Sequence, residues 1–112
     1  MKRYCLTLDL KEDQQLIAEY DEYHRAVWPE IIASIRNSGI LHMEIYRYQA
    51  RLFMIIEAED NFSFERKAAL DKNNRKVEEW ETLMWKYQQA LPGARPGEKW
   101  LPMNKLFSLE EY

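Results

Sequence analysis

Residues 42–59, HMEIYRYQARLFMIIEAE, decide the fold of this chain. They contain two apolar runs, 42–48 and 52–59, whose length and composition are typical of β-strands. The runs are joined at Gln49-Ala50-Arg51, where no glycine marks a turn. We nevertheless predict a β-hairpin, because alternate residues then share a face of each strand. Met43, Ile45 and Arg47 would share one face of the first strand of the hairpin, and Leu52, Met54 and Ile56 would share one face of the second.

The segment before the hairpin has a helical pattern. Between residues 13 and 38, apolar side chains recur at spacings of three and four, with Asp13 as a cap and Gly39 as a stop. Pro29 cannot donate a backbone N–H and disfavours helical geometry at Trp28. We therefore predict two helical pieces with a break near residues 26–28, the second of which begins at Pro29.

The remaining segments complete a recognisable order. KRYCLTLDL, residues 2–10, alternates as a strand with one buried face, and helices are predicted at 62–70 and 77–91. Residues 91–97, LPGARPG, form a loop, and LPMNKLFSL, residues 101–109, supplies a last strand. The order is βαββαβ, the ferredoxin-like arrangement.

This order predicts an α+β fold in a single domain, residues 1–112. Its four-stranded antiparallel sheet has helices on one face, and the sheet residues are apolar on both sides. A bare second face would expose a large apolar patch, so we expect a face-to-face homodimer, a dimeric α+β barrel. The fold hosts many unrelated functions, so the function has to be argued from a site.

Composition excludes several classes of protein. The net charge is −3, and no cluster of basic residues favours nucleic acid as a partner. The single Cys5 cannot form an internal disulfide. Asp9 interrupts the N-terminal segment before an apolar run of signal-peptide length, and no later stretch approaches the roughly 18 apolar residues of a membrane span. We expect a soluble, cytoplasmic protein that does not bind membranes.

Known cofactor and metal motifs are absent from the sequence. The histidines, His24 and His42, do not belong to an HExxH or HxH pattern, and no cysteine cluster accompanies them. No glycine-rich phosphate loop and no G-x-S-x-G nucleophile motif occurs. We therefore predict no metal site.

The run EYDEYHRAVWPEI, residues 19–31, holds the candidate chemistry. Side chains four apart on a helix lie one above the other, so Tyr20 and His24 would present a phenol and an imidazole to one spot. This is a possible acid/base pair, although a histidine on an amphipathic helix is more often structural. The tryptophans are equally open: they pack the core and a dimer interface, or they form an apolar wall for a sugar ring.

The chain resembles the L-rhamnose mutarotase family. The resemblance is carried by Tyr20-x-x-x-His24-x-x-x-Trp28-Pro29-Glu30 and continues through Gly39, Ile45-Tyr46, strand 52–57 and Trp80. It implies that the protein interconverts the α and β anomers of a 6-deoxy-L-hexose without a cofactor. It also implies that His24 is the acid/base residue and that the sugar is bound by Tyr20, Trp28, Met43, Tyr46, Trp80 and Glu81.

Two of these positions depart from the rhamnose pattern. Met43 stands where that pattern has a second substrate tyrosine, and Glu81 replaces the second residue of a Trp-Trp pair. The stretch EEWETLMWKYQQALPGARPGEKW, residues 78–100, looks more like the branch of the family assigned to L-fucose. The resemblance therefore leaves both L-fucose and L-rhamnose as candidate substrates.

Two functions of other classes remain open at this stage. One is a dimeric module of the same fold that binds a ligand or a partner without turnover. The other is a cofactor-free monooxygenase, because dimeric ferredoxin-like domains include such enzymes. Exchange between the anomer signals of a sugar separates a mutarotase from the module that only binds.

Overall fold

The secondary structure follows the predicted order, except that a short additional strand lies where the last helix was predicted to continue and that the last strand is shorter than predicted. A computed structural model describes all residues, 1–112. The elements are β1 (Lys2–Leu10), α1 (Gln14–Tyr23), α2 (Pro29–Asn37), β2 (Ile40–Tyr48), β3 (Arg51–Ala58), α3 (Phe64–Lys72), α4 (Arg75–Trp85), β4 (Gln88–Gln89), β5 (Leu101–Pro102) and a final 3₁₀ turn, Leu109–Glu111.

The strands form one antiparallel sheet in the order β2-β3-β1-β4, and β5 pairs with β1 as well. This is the strand order of a ferredoxin-like sheet, and the sheet is open within one chain. The β2–β3 hairpin turns through Gln49 and Ala50 alone. Gln49 takes the left-handed φ of +50° that a tight hairpin turn requires and that glycine or asparagine usually supplies. The predicted hairpin is therefore confirmed, despite its unusual turn residue.

The predicted break between the first two helices is also confirmed. The Asp13 carboxylate accepts a hydrogen bond from the backbone N–H of Leu16 at 3.0 Å and thereby caps α1. Trp28 is extended, with φ −55° and ψ 135°, and Pro29 occupies the first turn of α2, where its missing N–H costs nothing. Gly39, with φ +96°, follows the end of α2 and allows the chain to turn into β2.

The helices pack on one face of the sheet. Leu8, Leu10 and Leu52 point to that face from β1 and β3 and are almost completely buried. They join a core to which the helices and the segment after α4 contribute Tyr20, Ile31, Val77, Trp80, Met84 and Tyr87. A second cluster, on the same sheet face, contains Leu6, Ile40, Met54, Ile56, Ala58 and Phe62.

Two predictions about the C-terminal third were wrong. The last helix ends at Trp85, not at residue 91, because the chain leaves it to pair with the edge of β1 through Gln88 and Gln89. The last strand covers only Leu101–Pro102 in place of 101–109. Beyond it, only Met103 N–H continues the ladder, by donating to the Cys5 carbonyl at 2.8 Å.

None of the helices has both the length and the apolar character that crossing a membrane requires.

Candidate functional site

A cavity of about 630 Å³ lies between the helices and the sheet. Its volume is in the range of sites for small organic ligands. Its wall is mostly apolar, with a few polar groups, the composition that suits a sugar with one apolar and several hydroxylated edges. Among the residues that line it are Tyr20, His24, Met43, Trp80, Glu81, Gln88 and Trp100.

His24 is held in one tautomer at the C-terminal end of α1. Its Nδ1 lies 2.8 Å from the Tyr20 carbonyl oxygen, which can only accept, so Nδ1 carries the hydrogen and donates it. In the neutral ring, Nε2 is then the acceptor. Burial lowers the pKa of His24 below its ordinary value, against smaller opposite effects of the Tyr20 carbonyl and of Asp21. The imidazole is therefore neutral at pH 7 and has a lone pair ready to take a proton.

Tyr20 lies directly beside this ring. The centroids of the two rings are 4.3 Å apart, and the side chain of Tyr20 is almost completely buried. Burial raises the pKa of Tyr20 to about 12, with a small opposite effect from a hydrogen bond to the Gln88 side chain. At neutral pH the phenol keeps its proton, so Tyr20 is suited to donate a hydrogen bond and not to act as a base.

Trp80 forms the wall next to His24. It lies on the buried stripe of α4 with Val77 and Met84, and its ring meets the imidazole edge-on at 5.6 Å between centroids. Trp28 packs against the other side of Trp80, at 5.1 Å between centroids, but does not line the cavity. Trp28 thus supports Trp80, and its predicted contact with a sugar stays a prediction.

Glu81 lies at the rim of the cavity and already has a cationic partner. The Lys99 Nζ contacts the Glu81 carboxylate at 2.5 Å and donates to the Glu81 backbone carbonyl at 2.9 Å. The same ammonium group lies 4.7 Å above the Trp85 ring. This three-residue contact, which we name the rim clamp, fixes the loop before Trp100 to α4. The Glu81 side chain remains half-exposed and faces the cavity mouth.

The two predicted site residues on β2 lie on opposite faces of the sheet. Met43 lines the cavity, opposite Ile56 of β3. Tyr46 lies three residues further along and therefore on the other face of the sheet, where its hydroxyl donates to the Glu44 carboxylate at 2.9 Å. Tyr46 does not line this cavity, so its role as a sugar contact stays a prediction.

The structure adds two cavity residues that sequence reasoning missed. Gln88 reaches the cavity because β4 pairs it with Leu10, on the helix-covered face of the sheet. Trp100 reaches it because β5 and the rim clamp hold the preceding loop in place. No local pattern signals either position, since both depend on pairing with β1 across the whole length of the chain.

The histidines lie apart and have different surroundings. His42 is exposed at the outer edge of the cavity, and its Nε2 lies 2.9 Å from the Glu44 carboxylate. No three His, Cys, Asp or Glu side chains approach one another closely enough to hold a metal ion.

Comparisons with known proteins agree on one family. Residues 3–109 match the model of the L-rhamnose mutarotase family. The chain is 43% identical over 113 residues to the L-fucose mutarotase of Xanthomonas campestris pv. campestris. This match covers 99% of this chain and 90% of that protein. It is 31% identical over 80 residues to the L-rhamnose mutarotase of Shigella flexneri, and this match covers 70% of this chain and 69% of that protein. The crystal structure of an L-rhamnose mutarotase from Formosa agariphila superposes with a TM-score of 0.71 at 20% identity, over 97% of this chain and 99% of that chain.

Proposed function

Because the chain belongs to the L-rhamnose mutarotase family and is thus an isomerase of the mutarotase type, we propose that it interconverts the α and β anomers of a 6-deoxy-L-hexose pyranose. We further propose that His24 carries the proton and that L-fucose is the preferred sugar. Tyr20, Met43, Trp80 and Glu81 are the sugar contacts in this proposal.

The observation that carries the proposal is the fixed tautomer of His24. A histidine that acts as a base at neutral pH needs one ring nitrogen that is unprotonated and is not already used in a structural hydrogen bond. The Nδ1 hydrogen bond to the Tyr20 carbonyl and the lowered pKa together provide this nitrogen at the wall of a cavity. Tyr20, which stays protonated, supplies a donor for a sugar oxygen beside it.

The chemistry needs only the transfer of one proton between two sugar oxygens. In the proposed reaction, His24 Nε2 takes the proton of the anomeric hydroxyl while the bond from C1 to the ring oxygen breaks. The imidazolium then gives this proton to the former ring oxygen, which leaves a free aldehyde. After rotation about the C1–C2 bond, the reverse steps close the ring on the other face. Positioned proton transfer of this kind contributes roughly 10²–10⁴-fold to a rate.

The choice of L-fucose rests on two lines of support. The relative with 43% identity along almost the whole chain is an L-fucose mutarotase. The two positions that depart from the rhamnose pattern, Met43 and Glu81, both line the cavity. Because L-fucose and L-rhamnose share the C6 methyl and the hemiacetal but differ at ring hydroxyls, these two positions can choose between them.

Saturation-transfer NMR on equilibrated sugars tests the proposal. With protein present, irradiation of one L-fucose anomer signal is expected to reduce the other, and the effect with L-rhamnose is expected to be smaller. Absence of enhanced exchange for both sugars would contradict the proposal and would favour the ligand-binding module. Faster exchange of L-rhamnose would overturn the choice of sugar alone.

We also propose a homodimer, formed through the sheet face opposite the helices. Phe53 and Ile55 lie on that face and are only partly buried, and the segment after β5 leaves Leu106 98% and Leu109 76% exposed. A second copy would cover both surfaces and would complete the barrel that one open sheet does not form. Light scattering at micromolar concentration is expected to give a mass near twice 13.6 kDa. A monomeric mass would contradict the dimer.

A further inference from the structure

Gln88 carries a polar atom that the fold does not satisfy. The residue is buried, with only 5% of its surface exposed, and its Oε1 has no hydrogen-bond partner. No other buried side-chain nitrogen or oxygen in the chain lacks a partner. Such an atom is costly in a folded protein, so its retention needs a reason, and a ligand that supplies the missing donor is one.

The position of Gln88 points to that ligand. The residue lines the cavity that also contains Tyr20 and His24. An amide has a donor end and an acceptor end, and rotation by 180° exchanges them. In either orientation the end that lacks a partner remains available for a group that enters the cavity.

A sugar hydroxyl fits this requirement because it both donates and accepts. Gln88 lies beyond the end of α4 on a strand that is paired with Leu10, so its backbone is held by the sheet. The last torsion of a glutamine side chain is broad, so a small rotation of the amide brings the unpaired end to the cavity surface. An apolar ligand would leave the atom unsatisfied.

We propose that Gln88 is a sugar-binding residue, whose amide binds one ring hydroxyl of the substrate. This inference rests on the proposed function, because it requires a sugar in the cavity. It assigns to Gln88 a role in substrate affinity and in the choice among hydroxyl patterns, while the proton transfer remains with His24.

The variant Gln88→Met tests the assignment, because methionine has a similar length and no hydrogen-bonding end. The KM for anomer exchange of L-fucose is expected to rise about tenfold, which corresponds to about 1.4 kcal/mol, with a smaller change in kcat. The melting temperature without sugar is expected to stay equal or to rise, since an unsatisfied buried group is removed. A purely structural role predicts the reverse, a lower melting temperature with an unchanged KM.

Gln89→Met is the matched control, because Gln89 is the neighbouring residue of β4 and is exposed. A KM for Gln88→Met equal to that of this control would overturn the inference and leave the proposed function intact. Absence of enhanced exchange by the wild-type protein would instead refute the proposed function itself.

Two measurements on the wild-type protein keep the inference testable if Gln88→Met does not fold. The side-chain NH₂ signals of Gln88 in a ¹⁵N spectrum are expected to shift on addition of L-fucose, and unchanged signals at saturation would overturn the assignment. Among L-fucose analogues that each lack one ring hydroxyl, one is expected to lose about tenfold in affinity through the missing contact. Where Gln88→Met does fold, this analogue and L-fucose are expected to bind the variant equally well, and a preserved difference would overturn the inference.

Discussion

The inner end and the rim of the cavity are built in different ways. At the inner end, Tyr20, His24 and Gln88 are positioned by backbone hydrogen bonds, strand pairing and buried aromatic contacts. At the rim, Glu81 and Lys99 are positioned by an ion pair whose carboxylate is half-exposed. The inner end thus depends on the core of the fold, whereas the rim depends on one contact between a loop and a helix.

This difference separates two tasks of the proposed enzyme. The proton carrier needs one fixed tautomer, which comes from the hydrogen bond to the Tyr20 carbonyl, and a lowered pKa, which comes from burial. Selection among hydroxyl patterns also uses polar groups that can change without loss of the fold, and Glu81 at the rim is such a group. Substitution of His24 at the inner end is therefore expected to change the rate of exchange, and substitution of Glu81 at the rim to change the ratio between sugars.

The largest effect is expected for His24→Ala. Anomer exchange of L-fucose should fall by about 10²–10⁴-fold, because the proton carrier is removed. The melting temperature should change little, since His24 is only partly buried at the end of α1. Exchange measured by NMR and a thermal melt on the same sample check both statements. Exchange near the wild-type rate would refute the role of His24, and a collapsed melt would favour a structural role.

The second prediction concerns pH and follows from the lowered pKa of His24. The exchange rate should fall on acidification with a midpoint below pH 6.5, the ordinary pKa of histidine, because Nε2 is protonated only at lower pH. The free energy of unfolding should also decrease on acidification. As the pH falls below about 6.5, His24 binds a proton in the unfolded chain before it does so in the folded protein. The unfolded state is therefore favoured increasingly until the pH reaches the pKa of His24 in the folded protein. This loss should be absent in His24→Ala, as urea titrations at pH 7 and pH 5 can determine. A midpoint at or above pH 6.5 would contradict a lowered pKa.

A smaller effect is expected for Tyr20→Phe, which keeps the ring stacked on His24 and removes the hydroxyl. The loss of one neutral hydrogen bond is worth about 1 kcal/mol, or about fivefold in kcat/KM. Initial rates of anomer exchange over a range of L-fucose concentrations provide the measurement. A loss as large as that of His24→Ala would mean that the phenol takes part in the proton transfer.

The smallest effect on rate is expected at the rim. Glu81→Gln should reduce the preference for L-fucose over L-rhamnose by about threefold, because a half-exposed carboxylate contributes less than a buried one. Stability should change by about 0.5 kcal/mol or less for the same reason. Lys99→Met is the companion variant, since it frees the Glu81 carboxylate without removing it. An unchanged ratio in both variants would mean that Glu81 only faces solvent and that the rim does not select.

Local patterns in the sequence predicted most of the fold. The alternation in residues 42–59 gave the hairpin, and Pro29 gave the break between α1 and α2. Both features depend on neighbours in the chain, so a single sequence contains the required information. The helical spacing of Tyr20 and His24 likewise predicted that the two side chains meet, and their rings lie 4.3 Å apart.

Features that depend on distant residues could not be predicted in this way. Tyr87 continues the apolar stripe of Leu83 and Met84, so the pattern favoured a longer helix, but pairing with β1 ends the helix at Trp85. This missed strand concealed Gln88. Tyr46 is a different case, because the alternation that placed Met43 on one face already placed Tyr46 on the other. There, the resemblance to a family was given more weight than the period of the strand.

The contact between Trp80 and His24 also means that the intrinsic tryptophan fluorescence of the protein can report the protonation of His24. A protonated imidazole quenches the emission of a neighbouring indole by accepting an electron from its excited state, whereas the neutral ring does so much less. With the two rings edge-on at 5.6 Å, the fluorescence of Trp80 should fall as His24 becomes charged and rise as it becomes neutral. A titration of emission intensity, with His24→Ala as the blank, can then follow the protonation of this one side chain without any label and without turnover.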